Sequence, residues 1–129
     1  MTTETTETAE ALYATGHWLL QNDRTRDAAL VFQAMALTSQ KDERAWLGLG
    51  ACHERSGQLG IAAEVYRVGI EAAAPAVRCR IARGRVLRAL GLHELAEEAF
   101  ASARDAALAS TSPDHGPLAV VAEDERSAS

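Results

Sequence analysis

The sequence predicts an all-α protein built from three tandem copies of one helix–turn–helix unit. The first observation is composition: 47% of the 129 residues are hydrophobic but only 5% are aromatic, and the apolar residues are mostly alanine and leucine, which favour helices. The second observation is a repeat with a step of 34 residues. Glycines, alanines and aromatic residues each keep this step, at Gly16, Gly50 and Gly84, at Ala28, Ala62 and Ala96, and at Phe32, Tyr66 and Phe100.

Each unit has the pattern of a tetratricopeptide repeat, in which a large residue precedes small residues and an aromatic residue at fixed places. The units are residues 9–42, 43–76 and 77–110, and three such units are expected to stack into a right-handed superhelix with a concave groove. We expect the glycine and the alanine to let the two helices of a unit approach closely. The aromatic residue is expected to fill the space where the next unit stacks. Residues 1–8 are predicted to be a short acidic, threonine-rich segment, and residues 111–129 a flexible acidic tail.

The six helices follow from where the repeat pattern meets turn and cap residues. They are predicted, in order, over residues 9–21, 26–38, 43–56, 60–73, 77–90 and 94–108. Within each unit the two helices are separated by turn-forming pairs, Asn22-Asp23, Ser56-Gly57 and Leu90-Gly91. Thr25 and Asp42 are placed to cap the second and third helices. Pro75 lies where the fourth helix has ended, because proline does not continue a helix.

The second unit resembles one family of repeat proteins. Its run Trp46–Cys52 (WLGLGAC), continuing through Gly57 and Gln58 to Tyr66–Gly69, is similar to the same stretch of the class II chaperones of bacterial type III secretion. Similar positions occur in the first and third units, at Leu12, Tyr13, Ala28, Val31–Ala34, Gly91, Ala96, Glu97 and Ala99. The resemblance extends without gaps from about Leu12 to Ala107.

This resemblance implies a cytoplasmic chaperone that binds an extended, partly hydrophobic segment of a secreted translocator in its concave groove before export. The chain departs from the family in two places. Its N-terminal segment is shorter, which leaves the mode of dimerisation open. Val77–Arg83 replaces a proline- and phenylalanine-rich stretch, which leaves open whether the cargo is a translocator or another export substrate. The alternative is a general tetratricopeptide scaffold or adaptor that binds another peptide or protein partner.

The charge and the termini limit the partners. A net charge of -5 and a pI near 5.3 argue against nucleic acid as the main ligand. No stretch approaches the roughly 18 to 20 apolar residues of a membrane span, and the first residues lack the features of a secretory signal. Two cysteines, Cys52 and Cys79, form no disulfide framework. We expect a bacterial cytoplasmic protein that binds neither membrane nor nucleic acid and that forms a weak homodimer.

The first helix of each unit is expected to line the groove with five of its positions. These are Glu10, Tyr13, His17, Leu20 and Gln21, then Arg44, Leu47, Ala51, Glu54 and Arg55, then Arg78, Ile81, Arg85, Arg88 and Ala89. The apolar members Tyr13, Leu20, Leu47 and Ile81 would anchor hydrophobic side chains, while the arginines would bind carboxylates or carbonyls. Two alternatives stay open: the apolar members pack against a terminal segment of the same chain, or the arginines form a solvated face.

Two further arginines, Arg80 and Arg83, occupy unit positions that are usually large and apolar. Because burial of an unpaired guanidinium is costly, either Glu64 or Glu71 pairs with them or a partner covers that surface. We also hypothesise that the acidic run of residues 123–125 occupies the basic end of the groove when cargo is absent.

No catalytic, metal or cofactor site is predicted. The four histidines have no ligand spacing with each other or with the cysteines: His17, His53, His93 and His115. Cys52 lies on an apolar stretch and is expected to be a core residue rather than a nucleophile. Phosphate-binding loops and hydrolase motifs are absent from the sequence. The chain is therefore not expected to be an enzyme.

Overall fold

The computed structural model describes residues 3–110, and six α-helices make up most of this range. They are α1 (Thr3–Gln21), α2 (Thr25–Thr38), α3 (Glu43–Arg55), α4 (Leu59–Ala72), α5 (Val77–Ala89) and α6 (His93–Ala109). No strand occurs between residues 3 and 110, so the predicted all-α class is confirmed. The predicted tail and its acidic run, residues 111–129, lie outside the described residues.

The predicted bounds of the second to sixth helices agree with the structure to within one residue. The predicted start of the first helix is wrong, because α1 begins at Thr3 rather than at residue 9. The apolar pattern of the first unit starts only at Ala9, so nothing in it marks an earlier start. Threonine and glutamate nevertheless extend an existing helix at small cost.

The turns inside the three units have the same geometry. A residue with positive φ closes each first helix, at Asp23 (59°), Gly57 (74°) and Gly91 (81°). The next amide reaches back to a carbonyl of the last helical turn, in the bonds Arg24 N to Leu19 O (2.8 Å), Gln58 N to His53 O (2.8 Å) and Leu92 N to Leu87 O (2.9 Å). These bonds satisfy carbonyls that the helix end leaves without partners. The same turn closure therefore recurs in all three units.

The two predicted helix caps have different outcomes. The Asp42 side chain accepts a hydrogen bond from the Arg44 amide at 3.1 Å, so the predicted cap of α3 is confirmed. The predicted cap at Thr25 is wrong, because Thr25 is already the first residue of α2 and Arg24 precedes it without a capping side-chain bond. Because the turn closes at Asp23, the residue before α2 is Arg24, one residue earlier than predicted.

The core of each unit is built on one contact between a glycine and an aromatic ring. The pairs are Gly16–Phe32, Gly50–Tyr66 and Gly84–Phe100. A Cβ atom on Gly16 or Gly84 would lie 2.8 Å from the facing ring, which is closer than packing allows. The expected packing of the aromatic residue with the next unit is also present, since Phe32 lies against Gly48 of α3 and Tyr66 belongs to the same core cluster as Cys79 of α5. Phe32 therefore packs between a glycine of its own unit and a glycine of the next unit.

The helices stack so that the first helices of all three units form one face. Each helix packs on its neighbours in the chain, and in addition α3 contacts both α1 and α5. The second helices make no such contacts with one another within the described range. We call the surface formed by α1, α3 and α5 the inner face.

Candidate peptide-binding face

The inner face carries the predicted groove positions, and their exposure varies. The exposed members are Glu10, His17, Gln21, Arg55, Arg78, Arg85 and Ala89. The half-buried members are Tyr13, Leu20, Arg44, Leu47, Ala51, Glu54 and Arg88. Ile81 alone is buried, with 2% of its surface exposed.

Arg44 joins the first unit to the second through two carboxylates. Its Nη2 atom lies 2.7 Å from Glu10 Oε1 on α1 and 2.8 Å from Asp42 Oδ2 at the start of α3. These hydrogen bonds lower the pKa of Glu10 and the pKa of Asp42, while the two carboxylates raise the pKa of Arg44. The guanidinium is therefore bound by groups of its own chain.

The same arginine fixes an aromatic side chain on the inner face. Its Cζ atom lies 4.5 Å from the centre of the Tyr13 ring, within the range of a cation–π contact. The Tyr13 ring also stacks on His17, with a centroid distance of 5.7 Å and an interplanar angle of 21°. Tyr13 is therefore held in place by Arg44 and His17. Because it is also partly exposed, its ring is a rigid apolar surface on the inner face.

Arg55 makes a second connection between α1 and α3. Its Nη1 atom donates to the Leu20 carbonyl at 2.5 Å, and it lies 3.7 Å from Asp23. A cation near the last carbonyls of a helix is favourable for the helix dipole. Arg44 and Arg55 therefore connect both ends of α3 to α1.

In the middle of the inner face, Glu54 accepts a hydrogen bond from the Tyr66 hydroxyl. The Tyr66 ring is buried with 2% exposure. Burial first, and then the Glu54 carboxylate, raise the pKa of Tyr66. Glu54 therefore accepts the hydrogen bond of a core hydroxyl. Its position on the predicted face did not reveal this structural role.

The third unit differs from the prediction at two positions. Ile81 was expected as an apolar anchor, but it packs in the core against Phe100 and Ala103 of α6, so that prediction is wrong. Arg88 was expected on the groove, but its guanidinium lies 4.9 Å from the Phe100 ring centre. Helix α5 has few large apolar side chains, of which Ile81, Val86 and Leu87 are buried, and the stem of Arg88 covers the core beside them.

The side chains of Arg80 and Arg83 on α5 are half-buried. Arg80 Nε donates to the Pro75 carbonyl at 2.8 Å. The two expected acidic partners, Glu64 and Glu71, instead pair with Arg67 of their own helix, at 2.5 Å and 2.8 Å. The hydrogen bond from Arg67 lowers the pKa of Glu64, and the nearby charge of Arg83 adds to this effect.

A cavity of about 680 Å³ opens beside Arg44 and its two carboxylate partners, Glu10 and Asp42. It lies between α1 and the turn from α2 to α3 and is lined by Thr6, Ala9, Glu10 and residues 38–44. No pattern in the sequence predicted this cavity. Glu10 and Arg44 stand at the same position of successive units, so their opposite charges could have indicated the pairing that borders it.

The cysteines have the surroundings of core residues, as expected for Cys52. Both side chains are buried and carry free thiols. Burial raises the pKa of Cys52, and burial followed by the nearby Glu43 carboxylate raises the pKa of Cys79 to about 12.

Among residues 3–110, no group of His, Cys, Asp or Glu side chains is arranged to hold a metal ion. None of the described helices combines the length and the apolar character that crossing a membrane requires.

No protein-family model matches this sequence, but a curated relative does. The chain is 38% identical over 63 residues to the low calcium response locus protein H of Yersinia pestis. The matched segment covers 49% of this chain and 38% of that protein, so it spans less than half of the relative.

Two solved structures resemble the whole described fold. PcrH of Pseudomonas aeruginosa, in complex with the chaperone-binding region of PopB, is 32% identical, with a TM-score of 0.78 over 93% of this chain and 94% of that one. The Yersinia enterocolitica translocator chaperone SycD, in complex with a peptide of the translocator YopD, is 28% identical. Its TM-score is 0.75 over 95% of this chain and 92% of that one.

Proposed function

Because the chain belongs to the family of translocator chaperones of bacterial type III secretion, we propose that it binds an extended, partly hydrophobic segment of a secreted translocator on its inner face. The complexes of PcrH with a region of PopB and of SycD with a YopD peptide support this proposal. The chain would act in the bacterial cytoplasm before export.

One observation carries the proposal: partly exposed apolar side chains lie on the inner face between charged groups that the chain itself holds in place. Tyr13 is fixed by Arg44, and Leu20 and Leu47 are half-buried on α1 and α3. Such residues offer contacts to side chains of an extended peptide. Because the surrounding charges are already bound, less freedom is lost when a peptide binds.

The mechanism is stoichiometric masking of apolar surface rather than catalysis. A translocator segment with exposed apolar side chains is prone to aggregate, and covering these side chains removes them from water. Release at the export machinery would return the segment unchanged. No cofactor takes part in this scheme, and a weak homodimer is compatible with it.

The test starts with co-purification of the full chain from its native bacterium and identification of the bound protein. Peptides that tile this protein then locate the segment, and its affinity is measured for Tyr13→Ala and Leu47→Ala. Each variant should weaken binding about tenfold or more, because loss of a buried apolar side chain costs roughly 1.5 to 3 kcal/mol. Leu37→Ala is the matched control, since Leu37 on α2 is 85% exposed and does not lie on the inner face.

Two results would contradict the proposal. Equal losses in the Leu37 control and the inner-face variants would place the binding site elsewhere. A bound protein without any exported or apolar segment would favour the alternative, a general tetratricopeptide adaptor.

A further inference from the structure

The outer side of α2 carries two leucines at positions where the other units carry acids. Leu30 and Leu37 are 64% and 85% exposed. At the same two positions of the second and third units the chain has exposed carboxylates, namely Glu64 and Glu71 on α4 and Glu98 and Asp105 on α6. The fold therefore accepts a charge at both positions, and packing within a unit does not require leucine there.

The two leucines belong to one uncharged strip of surface. They are seven residues apart, which is two helical turns and the same side of the helix. Among residues 3–110, α2 packs only on α1 and α3, and residues 28–38 contain no charged side chain. A second apolar surface can therefore cover this side without burying a charge. We call Leu30, Gln33, Ala34 and Leu37 the outer stripe.

A second cavity, of about 530 Å³, opens beside the first half of the outer stripe. It lies between the first turns of α2 and the end of α3. Its apolar lining comes from Ala29, Leu30 and Cys52, and its polar lining includes Thr25 and His53. The outer stripe thus has an apolar cavity at one end and the exposed side chain of Leu37 at the other.

We propose that the outer stripe pairs with the outer stripe of a second copy of this chain, with the two α2 helices antiparallel. A two-fold axis near Ala34 then places Leu37 of each copy at the cavity beside Leu30 of the other copy. One surface patch is used twice, as a two-fold symmetric dimer requires. The small side chain of Ala34 lets the helices approach closely at the axis.

Two arguments favour this antiparallel arrangement over a parallel one. A parallel pair would place Leu37 against Leu37 and would leave the cavities of both copies unfilled. An antiparallel pair also brings the positive end of each helix dipole beside the negative end of the other, which is favourable.

The dimer is expected to be weak and insensitive to salt. A stable interface buries about 1,200 to 2,000 Å², more than the contact between two helices of 14 residues provides. Each copy has a net charge of -5 and the stripe has none, so salt screens repulsion between the copies without breaking an ion pair. Because α2 is not part of the inner face, the pairing leaves that face open, and the inference does not rest on the proposed function.

The first experiment measures the mass of the full chain by sedimentation equilibrium over a range of concentrations, at low and high salt. Leu30→Glu and Leu37→Glu introduce the residue that the second unit has at the same positions. Leu108→Glu is the matched control, since Leu108 is 57% exposed on α6. Circular dichroism checks that each variant keeps its helices.

We expect a concentration-dependent dimer in the parent chain that salt does not weaken. Leu37→Glu should raise its dissociation constant roughly a hundredfold or more, because each dimer loses two leucine contacts. The inference is overturned if the parent stays monomeric at millimolar concentration, since another partner would then cover the stripe. It is also overturned if Leu108→Glu weakens the dimer as much as Leu30→Glu and Leu37→Glu.

The second experiment tests the register of the pairing. Full chains with Leu30→Cys or Leu37→Cys are oxidised separately and as an equal mixture, and the crosslinked residues are identified by mass spectrometry. The native cysteines are buried. Antiparallel pairing predicts a crosslink between positions 30 and 37 of different chains in the mixture. Crosslinks that join position 30 to 30 or 37 to 37, or crosslinks within one chain, would contradict it.

These measurements need no cargo, so they can fail without affecting the proposed function, and the reverse also holds.

Discussion

Replacing Gly50 by alanine tests whether the contact between glycine and aromatic ring sets the spacing inside each unit. A Cβ atom at this position would collide with the Tyr66 ring. The ring cannot withdraw freely, because it is 2% exposed and its hydroxyl is bound to Glu54. Overpacking of this kind costs about 1 to 3 kcal/mol.

The second contribution to this variant has the opposite sign. Alanine is favoured over glycine inside a helix by about 0.5 to 1 kcal/mol. The net loss in the free energy of unfolding for Gly50→Ala is therefore about 0 to 2.5 kcal/mol. For a domain of this size, a loss of 1 kcal/mol lowers Tm by about 4 °C.

Gly60 provides the matched control on the next helix. It lies in α4, and a Cβ atom added there would meet no atom within 4 Å. Gly60→Ala should gain the helix preference without the collision and become slightly more stable. The difference between the two variants isolates the packing cost, about 1 to 3 kcal/mol, in urea unfolding followed by circular dichroism. Equal stabilities would refute the assignment of Gly50 as a close-approach residue.

Two further predictions concern charge and thiol chemistry. Arg44→Gln should lower the urea midpoint only slightly at neutral pH, because the ion pairs that it breaks are exposed or partly exposed. The carboxylates paired with Arg44 have lowered pKa values, so their stabilisation is present above about pH 4 and is lost as the pH falls through the folded pKa values. Urea midpoints between pH 7 and pH 2 should therefore fall less steeply in Arg44→Gln than in the parent chain, and parallel slopes would contradict this. Cys52 and Cys79 should resist a thiol reagent until the chain unfolds, because both are buried with raised pKa values; rapid labelling of the folded chain would contradict their burial.

The repeat could be predicted from the sequence because its conditions are local and recur. A glycine must face an aromatic ring in every unit, and a residue that tolerates positive φ must close every first helix. The glycine series that includes Gly50 and the aromatic series that includes Tyr66 therefore each recur every 34 residues. The helix bounds follow from this repeat. The early start at Thr3 could not be predicted, because residues that extend an existing helix need no apolar pattern.

The inner face was predicted less well, because ideal unit positions assume that every helix has the same orientation. Ile81 is buried although its unit position is that of Tyr13 and Leu47. In α5 the shortage of large apolar side chains decides which side of the helix faces the core. The partners of Glu54 and Arg88 depend on rings that come from the second helix of their unit, which no pattern on one helix reveals.

The most direct test of the proposed function is photocrosslinking in the native bacterium. A photoreactive amino acid replaces Leu47 on the inner face or, in a second strain, Leu37 on α2. We predict a crosslink to the secreted translocator from position 47 and none from position 37. Crosslinks from position 37 alone, or equally from both positions, would contradict binding on the inner face.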